Sequence, residues 1–256
     1  MSQWFDLSGK TAVIAGGTST LGRSMAEALA AHGAQVAIIG RKADAAAEVV
    51  AQLAEAGGEA QAFLGDMTDE RDIERVHAEV MRCYGKVDVL LYCPGVNSAT
   101  PFFELEMEEW DHIMDVNVKG AIRMCQQFGQ SMIGAGRGGS IILISSVSSD
   151  PPLSRVFTYS MSKAALNSMT KYLAREFAPH GVRVNAIIPG FFPAEQNRAI
   201  LSPDRVEAIM RHTPMGRFGT PEELQGTAVW LASERASGFV TGALIRVDGG
   251  FGAMTI

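Results

Sequence analysis

The chain has 256 residues, a formal net charge of −6 and 47% hydrophobic residues, which is enough for the core of one large α/β domain. A nucleic-acid-binding protein would more often be basic, and no apolar stretch reaches the ~18 residues of a membrane span. The three cysteines are widely spaced without a CxxC pair, and the N-terminus lacks the basic and apolar regions of a signal peptide, so we expect a cytoplasmic protein without a disulfide framework.

Short apolar runs alternate with longer amphipathic stretches along the whole chain. The runs predicted as strands are 11–15, 35–39, 60–64, 87–92, 140–145, 182–188 and 243–247. The stretches predicted as helices are 21–32, 43–56, 70–83, 108–134, 159–179 and 221–233. Repeated strand–helix units predict an α/β fold with one doubly wound parallel sheet of the Rossmann type and helices on both faces. No linker or repeat interrupts the pattern, so we expect a single domain over residues 1–256.

A glycine-rich turn, AGGTSTLG at 15–22, follows the first predicted strand and opens the first predicted helix. Such a turn directs free backbone N–H groups and the positive end of a helix towards a phosphate. Gly16 and Gly22 would permit close approach of the ligand and of the helix. The GxGxxG spacing is absent, because Thr20 stands where a glycine is expected. The turn alone therefore predicts either a variant nucleotide site or a tight turn without a ligand.

Tyr159 and Lys163 are four residues apart in a predicted helix, so they lie on one helical face. A phenol is a poor proton donor at neutral pH, and a neighbouring ammonium group favours the phenolate and lowers its pKa. A tyrosine tuned in this way can exchange a proton with a carbonyl or an alcohol oxygen. The alternative is a surface tyrosine and a solvated lysine at chance spacing.

Two polar residues upstream give this pair more weight. Ser146 follows the strand predicted at 140–145, where a hydroxyl can hydrogen-bond a substrate oxygen, and Asn117 interrupts a long helical pattern although asparagine is a mediocre helix former. Either residue could still be structural, since serine often ends strands and asparagine caps or bridges backbone.

Taken together and in this order, the motifs resemble those of the short-chain dehydrogenases/reductases over nearly the whole chain. The matching pieces are Leu7–Lys10, AGGTSTLG, Gly65–Met67, Cys93–Gly95, Asn117, Ser146, YSMSK at 159–163, Val184–Gly190, Val240–Gly242 and Val247–Gly250. The chain departs from the family at Ala15, Thr20, Cys93 and Pro94, and it lacks the threonine often found shortly after the Pro–Gly of 189–190.

The resemblance implies a catalytic tetrad of Asn117, Ser146, Tyr159 and Lys163. Tyr159 would be the general acid/base, Ser146 would position the carbonyl, and Lys163 would lower the tyrosine pKa and hold the nicotinamide ribose. Asn117 would support Lys163 through an ordered water. The residues implied to bind the nicotinamide cofactor are Gly16, Thr18, Ser19, Leu21, Gly22, Arg41, Asp66, Met67, Cys93, Gly95, Tyr159, Lys163, Pro189, Gly190 and Phe192.

The end of the second predicted strand bears on the choice between NAD and NADP. An acidic residue there would bind the ribose hydroxyls of NAD, but Gly40 takes that place and Arg41 and Lys42 follow. A guanidinium suits a 2′-phosphate, so NADP is the preferred prediction. The alternative is that Arg41 stacks on adenine or is solvated and NAD is accepted. Asp66 resembles an adenine-contacting residue of the family and could equally be a helix N-terminal acid.

The substrate prediction rests on residues 189–218, since this region would form a lid near 190–218 in the family. The phrases PGFFPAEQNR and HTPMGRFG resemble the short-chain branch of D-mannonate oxidoreductases, which interconvert D-fructuronate and D-mannonate. Arg198 could pair with a carboxylate through its bidentate fork or simply be solvated. Further substrate candidates are Asn97, Ser148, Arg155 and His212.

Other functions stay open at this point. A gluconate 5-dehydrogenase or another keto-sugar reductase is the nearest alternative. A 3-oxoacyl carrier-protein reductase is the next, but it would need a basic surface to bind its acidic carrier protein, and this chain is acidic overall. A non-catalytic nucleotide-binding regulator would keep the fold without turnover. No metal motif such as HExxH occurs. The resemblance also implies a homotetramer, with the helices at 108–134 and 159–179 pairing across one axis and the C-terminal segment pairing across another.

Overall fold

The computed structural model describes residues 3–192 and 202–254, which form one seven-stranded parallel sheet with helices on both faces. The strands are β1 (Thr11–Ala15), β2 (Gln35–Gly40), β3 (Glu59–Leu64), β4 (Val89–Tyr92), β5 (Gly139–Ile144), β6 (Val182–Pro189) and β7 (Leu244–Val247). Their order across the sheet is β3-β2-β1-β4-β5-β6-β7. The predicted doubly wound fold is confirmed, and every predicted strand lies within two residues of an observed one.

The helices follow the predicted alternation. They are α1 (Thr20–Ala31), α2 (Ala43–Glu55), α3 (Glu70–Tyr84), α4 (Met107–Met114), α5 (Gly120–Ala135), α6 (Phe157–Phe177), α7 (Pro203–His212), α8 (Gln225–Ala232) and α9 (Glu234–Ser237). The helix predicted to begin at Pro221 starts as a 3₁₀ turn, where Thr220 and Glu223 form a capping box. Helix α7 was not predicted as a helix, although Ser202 caps its N-terminus and Pro203 occupies its first turn.

The strands are buried on both faces because helices cover each side of the sheet. All five residues of β1 are buried between β2 and β4, as expected for the continuous apolar runs of a parallel sheet. Alternate side chains of β1 enter different cores: Ile14 packs on the side of α1, and Val13 packs on the side of α3 and α5. This two-sided core fixes the carboxyl ends of β1, β4, β5 and β6 along one edge of the sheet.

The long helix predicted at 108–134 is interrupted in its first half. A π-helical turn, Asp115–Lys119, separates α4 from α5. Tyr92, at the end of β4, donates a hydrogen bond to the carbonyl of Val116 at 2.5 Å and so satisfies a group of this turn. The structure therefore interrupts a periodicity that the sequence pattern presents as continuous. π-Helical turns of this kind are frequent at functional sites.

Within residues 3–192 and 202–254, the structure contains no helix that is both long and apolar enough to cross a membrane.

Candidate active site

A cavity of about 330 Å³ opens at the carboxyl edge of the sheet. It runs from the loop after β1, past the loop after β4 and the end of β5, to the first turns of α6 and the segment that follows β6. Ligands of doubly wound folds bind at this edge, near the point where the strand order reverses. Here the reversal lies between β1 and β4.

The glycine-rich turn forms one wall of this cavity. Ser19 caps α1: its hydroxyl donates to the carbonyl of Gly16 at 2.8 Å and accepts from the N–H of Gly22 at 3.2 Å. A side chain at residue 22 would collide with the carbonyl of Gly16, which itself has φ +71°. Thr20 is exposed at the first turn of the helix and lines the cavity. The turn is therefore closed by Ser19 and by the two glycines that the chain retains, and its first helical N–H groups have no acceptor within the helix.

Asn117 lies in the π-helical turn and is completely buried. Its side-chain amide bonds both backbone groups of Val96: the N–H of Val96 donates to Oδ1 at 2.8 Å, and Nδ2 donates to the carbonyl at 3.0 Å. Nδ2 also donates to the hydroxyl of Ser162 at 2.9 Å. Asn117 thus ties the loop after β4 to α6, and this is the structural reason for an asparagine inside a helical pattern.

Lys163 reaches the floor of the cavity from α6 and is only 2% exposed. Its Nζ donates to the carbonyl of Ile144 at 2.9 Å and lies 5.5 Å from the centroid of the Tyr159 ring. Burial lowers the pKa of Lys163 to about 8. A Cβ atom at Gly95 would come within 3.3 Å of Nζ, so the glycine leaves this amine room on the cavity side.

Tyr159 lies one turn before Lys163 and lines the same cavity. Here the sequence-based expectation of a lowered tyrosine pKa is wrong for the protein alone. Burial raises the pKa of Tyr159 to about 12, while a hydrogen bond with Ser146 acts in the opposite direction. The cost of desolvating a phenolate therefore outweighs the hydrogen bond with Ser146, and the neutral phenol is favoured.

Ser146 follows β5 and begins a 3₁₀ turn. Its hydroxyl accepts from the N–H of Ser148 at 3.2 Å and contacts the Ser148 hydroxyl at 3.1 Å. Ser145 fixes the base of this region by donating to the carbonyl of Lys163 at 3.1 Å. The structure therefore brings Ser146, Tyr159 and Lys163 to one cavity, and Asn117 lies buried behind its lining, bonded to Val96 and Ser162. The catalytic roles of all four residues stay predictions.

Cys93 stands at the position where the family that the sequence resembles has an asparagine. Its thiol lies 3.7 Å from the hydroxyl of Ser19, and burial raises its pKa. The backbone after Cys93 passes close to the glycine-rich turn, since a Cβ at Gly16 would come within 3.0 Å of the nitrogen of Pro94. The departure at Cys93–Pro94 thus fits against the turn without opening the cavity.

The opposite end of the groove carries the residues considered for NAD or NADP. Arg41 Nη1 lies 3.7 Å from Asp66 Oδ2, and the two side chains are 67% and 39% exposed. Burial alone would raise the pKa of Asp66, but two hydrogen bonds from Thr68 and the charge of Arg41 outweigh it, and the pKa is lowered. A side chain at Gly40 would require Thr18 to shift, because its Cβ would lie 2.9 Å from Cγ2 of Thr18.

The residues implied to bind the cofactor divide into two groups. Those that line the cavity are Thr18, Ser19, Leu21, Cys93, Gly95, Tyr159, Lys163, Pro189, Gly190 and Phe192. Gly16 and Gly22 shape the turn behind it, Arg41 and Asp66 lie towards the far end, and Met67 is buried in the core on the α3 and α5 side of the sheet. The lining group traces a continuous path from the turn to Tyr159, which fits a dinucleotide.

The substrate candidates separate in the same way. Asn97 and Ser148 line the cavity, Arg155 lies beside it, and His212 packs against Phe251 instead, with ring centroids 4.6 Å apart. Arg198 lies outside the described residues. The structure adds Arg205 of α7, which lines the cavity and which the sequence reasoning missed. Its only sequence signal was a basic residue in the predicted lid, since its partner, Ser154, is 51 positions away.

The chain is similar over nearly its whole length to known oxidoreductases. The family model described as "Enoyl-(Acyl carrier protein) reductase" matches residues 15–252. A relative from Bacillus subtilis, named "Uncharacterized oxidoreductase UxuB", is 39% identical over 267 residues that cover 96% of each chain.

Solved structures agree closely with the fold. A putative gluconate dehydrogenase from Agrobacterium tumefaciens superposes with a TM-score of 0.94 at 35% identity, covering 98% of this chain and 99% of that one. A gluconate 5-dehydrogenase from Burkholderia cenocepacia, solved in complex with NADP and tartrate, gives a TM-score of 0.94 at 31% identity and 98% coverage of both chains.

Proposed function

The chain belongs to the short-chain dehydrogenase/reductase family and is an NAD(P)-dependent oxidoreductase, and from this premise we propose that it acts on a sugar acid of the D-fructuronate/D-mannonate type. The observation that carries the proposal is the cavity itself. Tyr159 and Ser146 stand at its wall beside the polar side chains of Asn97 and Ser148, and the guanidinium of Arg205 also lines it. A carbonyl flanked by hydroxyls and a carboxylate matches this lining, whereas a hydrophobic substrate would leave the polar groups unpaired.

The nicotinamide cofactor would supply the hydride to the carbonyl carbon in the reductive direction. Tyr159 would give its phenolic proton to the carbonyl oxygen as that oxygen gains charge, and Ser146 would hold the same oxygen by a hydrogen bond. The pKa of about 12 keeps Tyr159 protonated at neutral pH, which is the state that a proton donor needs. Lys163 and Asn117 would support these groups without contacting the carbonyl. Asn117 fixes the backbone of Val96, next to Gly95.

NADP is the preferred cofactor in this proposal. The crowding of Gly40 by Thr18 supports it, because an acidic side chain that would bind the ribose hydroxyls of NAD does not fit there without rearrangement. Arg41 is exposed at the next position, and among the described residues its one ion pair is with Asp66, so its guanidinium can turn to a 2′-phosphate.

A gluconate 5-dehydrogenase-like activity is the second candidate. It is favoured by the similarity to the Burkholderia cenocepacia enzyme, whose structure holds NADP and tartrate. Both candidates reduce a six-carbon polyol acid at the same ketone, next to the terminal hydroxymethyl group. They differ in the configuration of the carbon beside the carboxylate, since D-mannonate and D-gluconate are epimers there. The contacts of Asn97 and Ser148 would decide between them.

We also propose that the chain assembles as a homotetramer. Large apolar side chains are exposed around the start of α4 and α6: Phe103 is 98% exposed, and Phe102 stacks edge-on against Phe157 with ring centroids 5.0 Å apart. A second copy of α4 and α6 would cover such a patch. Light scattering of the purified protein should give four times the 27.4 kDa chain mass; a monomer would contradict the proposal.

The decisive experiment is the oxidation of reduced cofactor with D-fructuronate and with 5-keto-D-gluconate, each run with NADPH and with NADH. Turnover of D-fructuronate at a kcat/KM at least tenfold above that of the neutral ketose D-fructose is the expected result. Faster turnover of 5-keto-D-gluconate would select the second candidate. Preference for D-fructose would overturn the sugar-acid proposal while leaving the oxidoreductase assignment intact.

A further inference from the structure

Arg205 is held at the wall of the cavity by the loop before α6. Its Nη1 donates to the hydroxyl of Ser154 at 2.6 Å, and its Nη2 donates to the carbonyl of the same residue at 2.8 Å. Both contacts use one residue of the loop, and the guanidinium is partly buried where it lines the cavity. Arg205 is thus positioned before any ligand binds, which reduces the entropy cost of binding.

A second arginine stands next to this one. Arg155 follows Ser154 and has φ +70°, a left-handed conformation that is uncommon for a residue other than glycine. Its charge and, more strongly, burial lower the pKa of Arg205. Among residues 3–192 and 202–254, neither arginine forms an ion pair with an acidic side chain. Arg205 therefore lines the cavity with the exposed Arg155 close enough to act on its charge, and no acidic side chain of the described residues pairs with either.

The same cavity contains a polar atom that lacks a partner in the described structure. The Oδ1 atom of Asn97 is buried and accepts no hydrogen bond from the described residues. Buried acceptors of this kind are usually paired, so a ligand that brings a hydroxyl donor would satisfy it. A carboxylate at one end and hydroxyls along the chain are the two features that together suit Arg205 and Asn97.

We propose that Arg205 is the residue that binds the substrate carboxylate, with Arg155 reinforcing the positive charge and Asn97 Oδ1 accepting a hydrogen bond from a hydroxyl of the polyol chain. This inference rests on the proposed sugar-acid function and names the residue that selects an acid over a neutral sugar. A guanidinium presents two parallel N–H donors to a carboxylate and binds it more tightly than a point charge does.

The test measures binding rather than turnover. D-gluconate and the neutral polyol D-sorbitol are titrated by calorimetry into the protein saturated with reduced cofactor, for the wild type, Arg205→Met and Arg211→Met. Arg211 is the matched control, because it lies on the same helix, is 73% exposed and pairs with Glu207. We expect the wild type and Arg211→Met to prefer D-gluconate by roughly 30- to 100-fold, as one charge-assisted bidentate contact would give.

Arg205→Met should reduce that preference to about threefold or less and leave D-sorbitol binding unchanged, since Arg155 alone supplies only unspecific attraction. Arg205→Lys keeps the charge and provides a second test if the methionine variant does not fold. It should retain a preference of about tenfold for D-gluconate over D-sorbitol. A full preference in either folded Arg205 variant, or no preference in the wild type, would overturn the inference. If the wild type prefers D-gluconate through Arg205 but reduces no keto acid, the carboxylate site stands and the proposed reaction fails.

Discussion

The two ends of the proposed cofactor groove are built in different ways. At the nicotinamide end, Asn117 is fully buried and Lys163 is 2% exposed, and each is fixed by hydrogen bonds to backbone. At the adenosine end, Arg41 is 67% exposed and meets Asp66 across 3.7 Å. Buried polar groups that lose a partner leave an unsatisfied atom, whereas an exposed ion pair exchanges readily with water. The chemistry should therefore be intolerant of substitution at one end, while cofactor choice is adjustable at the other.

The largest effect is expected at Tyr159. In Tyr159→Phe the ring remains but the proton donor is lost, so kcat should fall about 10³-fold or more, in the upper range for general acid catalysis. The Kd of the reduced cofactor, measured by fluorescence, should change less than threefold. Turnover retained within tenfold would remove Tyr159 from the proposed chemistry. A wild type that binds cofactor but turns over no carbonyl compound would instead favour the regulator hypothesis.

Substitution of Asn117 tests the rigidity of the buried end. Asn117→Ala removes hydrogen bonds to both backbone groups of Val96 and to Ser162, and we expect a loss of about 2–4 kcal/mol in the free energy of unfolding, together with lower activity. Urea denaturation provides the measurement. Ser162→Ala is the matched control, since it removes one partner and should cost about 1 kcal/mol. Equal costs would mean that the ties to Val96 contribute little.

Lys163 should make the stability of the cofactor-free protein depend on pH. Burial lowers its pKa from 10.5 to about 8, so between these values the folded protein binds fewer protons than the unfolded chain. The contribution of Lys163 to the free energy of unfolding therefore rises with pH between these two pKa values. The total rise is at most ~3 kcal/mol, because each unit of pKa shift corresponds to about 1.4 kcal/mol.

The measurement is the difference in unfolding free energy between the wild type and Lys163→Met at pH 7 and pH 10. The difference cancels buried groups that do not interact with Lys163, such as Cys125, whose raised pKa acts in the opposite direction at high pH. Cys93 does interact with Lys163, so its contribution remains part of the difference. Lys171→Met, at an exposed position of the same helix, controls for the loss of a lysine. A difference that stays constant with pH would show that Lys163 is solvated in solution.

The smallest effect is expected at the exposed end. Arg41→Ser should raise the KM for NADPH about five- to tenfold and leave that for NADH within twofold, because an exposed charge pair is worth about 1 kcal/mol. Arg23→Ser, which removes an arginine that pairs with Glu27 and Glu48, is the control for net charge. Equal changes with both cofactors would contradict a role for Arg41 in reading the 2′-phosphate.

The fold was predictable because it rests on local periodicity. Strands β1 to β7 and the helices α1, α2, α3 and α6 lie within two residues of their predicted ranges, since apolar runs and amphipathic stretches report burial directly. The break at Asp115–Lys119 was not predicted, because the apolar periodicity continues through it and its contact with Tyr92 joins residues 24 positions apart.

The site was predictable only in part, for the same reason. Short motifs indicated Tyr159 and Lys163, and the structure brings both to one cavity with Ser146. The direction of the tyrosine pKa was wrong, because desolvation depends on burial that spacing does not report. Arg205 was missed because its contact with Ser154 joins distant parts of the chain. The lid expected near 190–218 stays a prediction, since residues 193–201 lie outside the described residues.

The π-helical turn has a consequence for how this chain should be aligned with others. A turn closed by five-residue steps contains one residue more than α-helical geometry needs, so α4 and α5 are out of phase by about 100°. Deleting one residue from Asp115–Lys119 would allow a continuous helix but would rotate either Ile113 or Met124 away from the core. An alignment gap at this point therefore signals a change in helical phase, and a chain that lacks the extra residue must hold the loop at Val96 in another way.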